Sequence, residues 1–81
     1  MGKPCWVVQK VQPKEDYFLI LDFADGTRKR FDARPLLEKP LYRPLNSVGF
    51  FMQAHVEGPT VAWNEQIDIA PETLYHRSVP V

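Results

Sequence analysis

One cysteine, Cys5, stands in the whole chain of 81 residues. No internal disulfide can form, and a free thiol suits a reducing compartment. Histidine is nearly as scarce, with only His55 and His76. Neither they nor Cys5 stand at a ligand spacing such as Cys-x-x-Cys or His-x-x-x-His, so no metal site is expected. A membrane span needs about 20 consecutive apolar residues, and no run in the chain comes near that length. The start, Met1-Gly2-Lys3-Pro4, leads into no apolar stretch of the kind a signal peptide carries. A cytoplasmic location is therefore the expectation. Net charge of either sign is also missing, with ten basic residues against ten acidic. A dedicated polyanion binder ordinarily carries a clear basic excess.

What is present describes a globular chain. Hydrophobic residues make up 44% and charged residues 25%, both ordinary for a packed fold. Two Trp, three Tyr and five Phe residues exclude a disordered chain and can close a small core without disulfides. A length of 81 residues implies a single domain with a small stability margin. No repeat, linker or low-complexity segment interrupts it. The charges are unevenly placed. Residues 28–43 carry a net +4, from Arg28, Lys29, Arg30, Arg34, Lys39 and Arg43 against Asp32 and Glu38, while residues 44–81 carry −3. Such a polarity can orient a molecule toward a charged partner, although a charge run is ordinarily a solvated face.

Residues 6–12 are rich in Val and Trp and end at Pro13, as a first strand would. Residues 17–23 read as the clearest strand, with Tyr17, Leu19, Leu21 and Phe23 sharing one face. Asp25-Gly26 then signals a hairpin. A two-residue loop would set Leu21 opposite Arg30 and Phe23 opposite Arg28. A three-residue loop, with Gly26 left-handed, pairs Phe23 with Thr27, Leu19 with Phe31 and Asp22 with Arg28. The second register matches apolar with apolar and opposite charges with each other, so it is preferred. Residues 32–38 suggest a short helical turn capped by Asp32. Pro40 and Pro44 leave residues 41–43 irregular. Residues 45–49 suggest another turn of helix. Residues 50–56 and 60–63 read as two strands about a turn at residues 57–59, and Asn64-Glu65 as a further turn. Residues 71–75 open a last helix, with Pro71 at its first position and Glu72 in its first turn. The expected fold is α+β: a small, mostly antiparallel sheet of four or five strands with short helices on one face.

The run from Trp6 to Val8, the segment from Asp16 to Gly26 and Arg30-Phe31-Asp32 resemble the N-terminal half of the bacterial family called domain of unknown function 2442. Val61-Ala62-Trp63 and the stretch from Asp68 to Tyr75 resemble that family's closing signature. The likeness covers roughly residues 6–75. It implies a small α+β protein, sometimes fused to a helix-turn-helix domain and sometimes encoded beside another small protein. Only six residues follow Tyr75, so a stand-alone chain is expected. The neighbouring-gene arrangement implies an antitoxin-like partner, and the resemblance carries over no catalytic or binding residue. On the structural side, Gly26 suits the turn, Trp63, Leu74 and Tyr75 suit docking of the last helix, and Asp68 suits its N-terminus. Ala70, before Pro71, is a poorer cap than Ser or Asp.

Ser47, Ser78 and Cys5 lie in no nucleophilic motif, so no enzyme activity, cofactor or small-molecule substrate is expected. The candidate contact residues are Arg28, Arg30, Arg34 and Arg43. They suit a non-enzymatic protein-binding or regulatory module, with another small protein encoded nearby as partner. The alternative is a nucleic-acid accessory role for residues 28–43. It is disfavoured because strand alternation splits Arg28, Lys29 and Arg30 between two faces and the aromatics are needed for the core.

Overall fold

The computed structural model describes residues 5–81. Residues 1–4, read above as carrying no leader, lie outside the described residues. β1 (Val8–Pro13), β2 (Phe18–Phe23) and β3 (Arg28–Asp32) form an antiparallel meander. Two 3-10 helices follow, Arg34–Glu38 and Pro40–Asn46, and then a single turn of helix, α1 (Val48–Phe51). β4 (His55–Glu57), β5 (Thr60–Ala62) and β6 (Asp68–Ile69) make a second antiparallel sheet. α2 (Pro71–Arg77) leads into β7 (Val79–Pro80), which returns to pair with β3. The α+β, antiparallel architecture expected from the sequence is present, with its strands divided between sheets of four and three in the orders β1-β2-β3-β7 and β4-β5-β6.

The two hairpins of the meander share one loop design. Phe23 N–H donates to the Thr27 carbonyl at 2.9 Å, and Gly26 N–H returns to the Phe23 carbonyl at 3.0 Å. Lys14 N–H donates to the Phe18 carbonyl at 2.8 Å, and Tyr17 N–H returns to the Lys14 carbonyl at 3.0 Å. Each loop has three residues and ends on a left-handed one, the bulge that suits the twist of the flanking strands. Gly26 takes that position at φ +86° without cost, while Tyr17 takes it at φ +70° with a bulky side chain. Tyr17 is held there by tertiary contacts. Its ring lies 4.9 Å from that of Phe51, and its hydroxyl donates to the Asn46 carbonyl at 2.7 Å. The register between β2 and β3 is the one charge and hydrophobicity favour, with Leu19 opposite Phe31 and Asp22 opposite Arg28.

Alternation then sorts the residues. Leu19, Leu21, Phe23 and Phe31 point inward and are at most 3% exposed. They share a core with Leu36 and Leu45 of the 3-10 helices, Phe51 of α1, Leu74 of α2, and Val61, Trp63, Ile67 and Ile69 of the second sheet. A direct bond fastens the sheets together: Val8 N–H donates to the Pro59 carbonyl in the β4–β5 turn at 2.9 Å. Trp63 Nε1 donates to the Phe51 carbonyl at 2.9 Å, tying α1 to the end of β5. The Thr60 hydroxyl also donates to the Ile69 carbonyl, bracing β5 on β6.

Several local expectations are corrected. Phe50 and Phe51 are helical and not part of a strand, because Ser47 and Val48 carbonyls accept the Phe51 and Met52 N–H groups at 2.9 Å. A strand there would put Phe51 in line with β4. The helical turn drops it instead into the core between Tyr17 and Trp63, so packing overrides the β propensity of the pair. Residues 41–43 are also helical, inside the second 3-10 helix. Ala33, and not Asp32, occupies the cap of the first, although the Asp32 carboxylate accepts the Arg34 N–H at 3.0 Å. Asp68 makes no side-chain cap to α2. Leu74 is fully buried, but Tyr75 lies against Phe23 of the first sheet and not beside Trp63.

Three substitutions test this packing. Gly26→Val forces a β-branched residue to positive φ and should cost more than about 1 kcal/mol, read as a lower urea midpoint. Leu74→Ala should cost about 2–5 kcal/mol in thermal melts, as large-to-small changes in cores do. Ala70→Ser should instead add roughly 0.5–2 kcal/mol, because the α2 cap has no side-chain acceptor. A wild-type midpoint for Leu74→Ala would show that α2 is not anchored by that side chain.

Candidate functional site

The outward alternation of β1, β2 and β3 builds a face that no helix covers. Phe18, Ile20 and Asp22 of β2 stand beside Arg28, Arg30 and Asp32 of β3, and all six are half-buried or exposed. Arg28 and Asp22 sit directly opposite and form a two-pronged pair, Nε to Oδ1 at 2.7 Å and Nη2 to Oδ2 at 3.3 Å. Arg34 closes a second fork on Asp32, at 2.9 and 2.8 Å. The guanidinium beside each carboxylate holds Asp22 and Asp32 below the usual carboxylate range, through the hydrogen bond first. The Phe18 ring meets two guanidinium groups, with the Arg30 and Arg34 guanidinium carbons 4.9 and 5.1 Å from its centroid. Cation–π contact of this kind fixes long side chains over the ring.

Three of the four candidate arginines, Arg28, Arg30 and Arg34, therefore meet on one surface. Arg43 lies apart from them in sequence and element, on the second 3-10 helix, and makes no ion pair among the described residues. Lys29 points the other way, as alternation demands. Its Nζ sits 3.8 Å from the Tyr75 ring centroid and donates to the Tyr75 carbonyl at 3.2 Å.

That second cluster was not legible as a unit in the sequence. The Tyr75 hydroxyl donates to Asp25 Oδ2 at 2.7 Å, and Asp25 Oδ1 accepts the Thr27 N–H at 2.9 Å and its hydroxyl at 2.5 Å. Tyr75 packs edge-on against Phe23, 4.9 Å between centroids. One signal did point here: a lysine placed on the inner face beside Phe31 must find a partner. The cluster clamps α2 onto the Asp25-Gly26 turn.

No group of three or more His, Cys, Asp or Glu residues that could hold a metal exists among the described residues. His55 Nε2 lies 3.7 Å from Glu57 Oε2 on the exposed edge of β4. A depression of about 500 Å³ is lined by Gln9, Lys10, Asp22, Phe23, Gly26 and Arg28, and two of its charges are engaged with each other in the Asp22–Arg28 pair. No helix among the described residues is long and apolar enough to cross a membrane.

A family described as "Protein of unknown function (DUF2442)" matches residues 8–80. The chain belongs to that family. The DUF2442 match runs from the first residue of β1 to the last of β7, so every strand and helix of the fold lies within it. No curated protein and no solved structure matches the chain. The stretch from Asp68 to Tyr75 forms β6 and most of α2, where Leu74 fills the core and Tyr75 holds the β2–β3 hairpin.

The clamp has a titration signature. Hydrogen bonding to Asp25, with burial and the nearby Cys5 thiol adding to it, pushes Tyr75 up to about 12. A pKa raised above the unfolded phenol's ordinary value of about 10 means the clamp is intact below pH 10 and is lost as pH climbs through about 12. Ring-carbon NMR should show Tyr75 ionising near 12 in the native chain and close to about 10 in Asp25→Ala. An ordinary phenol value in the unaltered chain would contradict the clamp.

Proposed function

We propose that this chain is a non-enzymatic protein-binding module, a regulatory or antitoxin-like partner of another small protein. Its contact surface is the outer face of the four-stranded sheet. The observation that carries the reading is Phe18, in cation–π contact with Arg30 and Arg34 beside half-exposed Ile20 on a face that no helix covers. Aromatic and arginine side chains are the usual anchors of protein interfaces. Here both kinds are already fixed in place, which lowers the ordering cost of association.

The edges of that sheet support engagement through the face. In β1, Lys14 N–H bonds toward β2, so Pro13 turns its backbone nitrogen outward. In β7, Val81 N–H bonds toward β3, so Pro80 does the same. Each edge thus presents a proline where an added strand would need a donor. The pattern of shifted acids agrees with a non-catalytic role. Asp22, Asp25 and Asp32 are all lowered by hydrogen-bonded neighbours, and none is raised as a general acid's carboxyl would be. Against nucleic acid stands the engagement of Arg28 and Arg34 with carboxylates, which leaves less charge for phosphates.

The test is affinity capture from cells of the source organism, with the chain and its Phe18→Ser and Arg30→Glu variants as baits. A partner retained by the native chain should lose about tenfold in affinity with Phe18→Ser, the scale of an interface anchor. Loss with Arg30→Glu should shrink as salt is raised. Equal retention by all three baits would remove the outer face from the interface. A salt-sensitive gel shift with no captured protein would favour the nucleic-acid role of residues 28–43.

A further inference from the structure

The outer face continues around the end of β3 into a different kind of feature. A cleft of about 190 Å³ lies where β3, the first 3-10 helix and α2 meet, lined by Phe31, Asp32, Pro35, Leu36, Thr73 and Arg77. Phe31 and Leu36 belong to the core yet show one side to this cleft, and exposed Pro35 belongs to its lining. The volume sets the scale of the occupant. Small-molecule sites run to about 300–1,000 Å³, well above it, whereas an apolar cavity of about 150 Å³ takes one benzene ring. One large apolar side chain is the object that fits.

The charges around the cleft say what should stand beside that side chain. Asp32 has both oxygens committed to Arg34, so it neither repels strongly nor binds further. Arg77 is exposed and makes no ion pair among the described residues. Arg34 neutralises Asp32, which leaves Arg77 as the uncompensated basic group beside an apolar floor. Resting on the protein-binding reading above, we infer that this cleft is the anchor pocket for a partner segment. That segment carries a large apolar residue with aspartate or glutamate next to it. The apolar side chain enters over Phe31 and Leu36, and the neighbouring carboxylate pairs with Arg77. Anchors of this kind, one side chain in a desolvated pocket with a charged rim, carry much of the energy of small interfaces.

The probe is a short capped peptide with one leucine between glutamates, titrated into the isotope-labelled full chain and followed by NMR. Amide shifts should concentrate at Phe31, Leu36, Thr73 and Arg77. The same peptide with alanine for leucine should give no saturable shift. Arg77→Glu lies at an exposed helix end and keeps the fold; it should weaken binding about fivefold, the worth of one partly exposed ion pair. Thr73→Phe fills the cleft and should abolish binding, with a thermal melt confirming that the variant is folded. Shifts confined to the outer face around Phe18, an equal response to the alanine peptide, or an unchanged affinity for Arg77→Glu would each overturn the assignment. A partner captured equally by the native chain and by Thr73→Phe would refute the cleft while leaving the protein-binding reading intact. Peptide binding at the cleft without any captured partner would do the reverse.

Discussion

The fold turns on Phe51. Neither sheet is large enough to bury its own inner face, and the two must be joined at a point that both can reach. Phe51 supplies it. Its ring lies 4.9 Å from Tyr17 in the first sheet's loop and 5.9 Å from Trp63 after β5, and its carbonyl accepts the Trp63 indole N–H. It is carried on a helix of four residues, far too short to be stable alone. The helix therefore exists because the ring is docked, and the ring is docked because both sheets present aromatic partners. Tyr17 sits in a left-handed backbone beside it, with its hydroxyl on the Asn46 carbonyl.

That dependence explains what the residues revealed on reading and what they concealed. The β2–β3 hairpin was legible because everything that decides it is local: Asp25-Gly26, the apolar alternation and the facing pair of Asp22 and Arg28. α2 was legible from Pro71, Glu72 and the apolar pair Leu74-Tyr75. Phe50 and Phe51 were not, because a β-favouring dipeptide became helical through contacts with residues more than thirty positions upstream and twelve downstream. The fourth strand of the first sheet was hidden for a similar reason. It depends on β7 pairing with β3 across most of the chain, a match that two residues cannot advertise. Of the candidate arginines, alternation placed Arg28 and Arg30 together. What it did not show was that Asp32 would bend back to Arg34, or that Arg34 would then reach Phe18.

The charge run of residues 28–43 looks different once its partners are known. Arg28 and Arg34 serve first to hold carboxylates on a half-exposed sheet face, and Lys29 caps the ring and carbonyl of Tyr75. The positive charge left over is modest and spatially divided, at Arg30 over Phe18 and at Arg77 beside the cleft. A surface of this kind selects partners by shape and by a few placed charges, and exerts little long-range pull. It is consistent with a chain whose overall charge is zero.

The return of β7 to β3 has a consequence for how the protein is made. Synthesis runs from β1 onward, so β3 leaves the ribosome with one edge unpaired, and no later strand closes it until Val79–Pro80 arrives at the other end of the sequence. Until β7 arrives the meander carries an open row of backbone donors and acceptors along β3. Arg28 and Arg30 lie on that strand throughout the interval. Charged residues along an unfinished edge discourage pairing between neighbouring nascent chains. The same arginines that occupy the finished outer face thus guard the sheet during the period before it is complete.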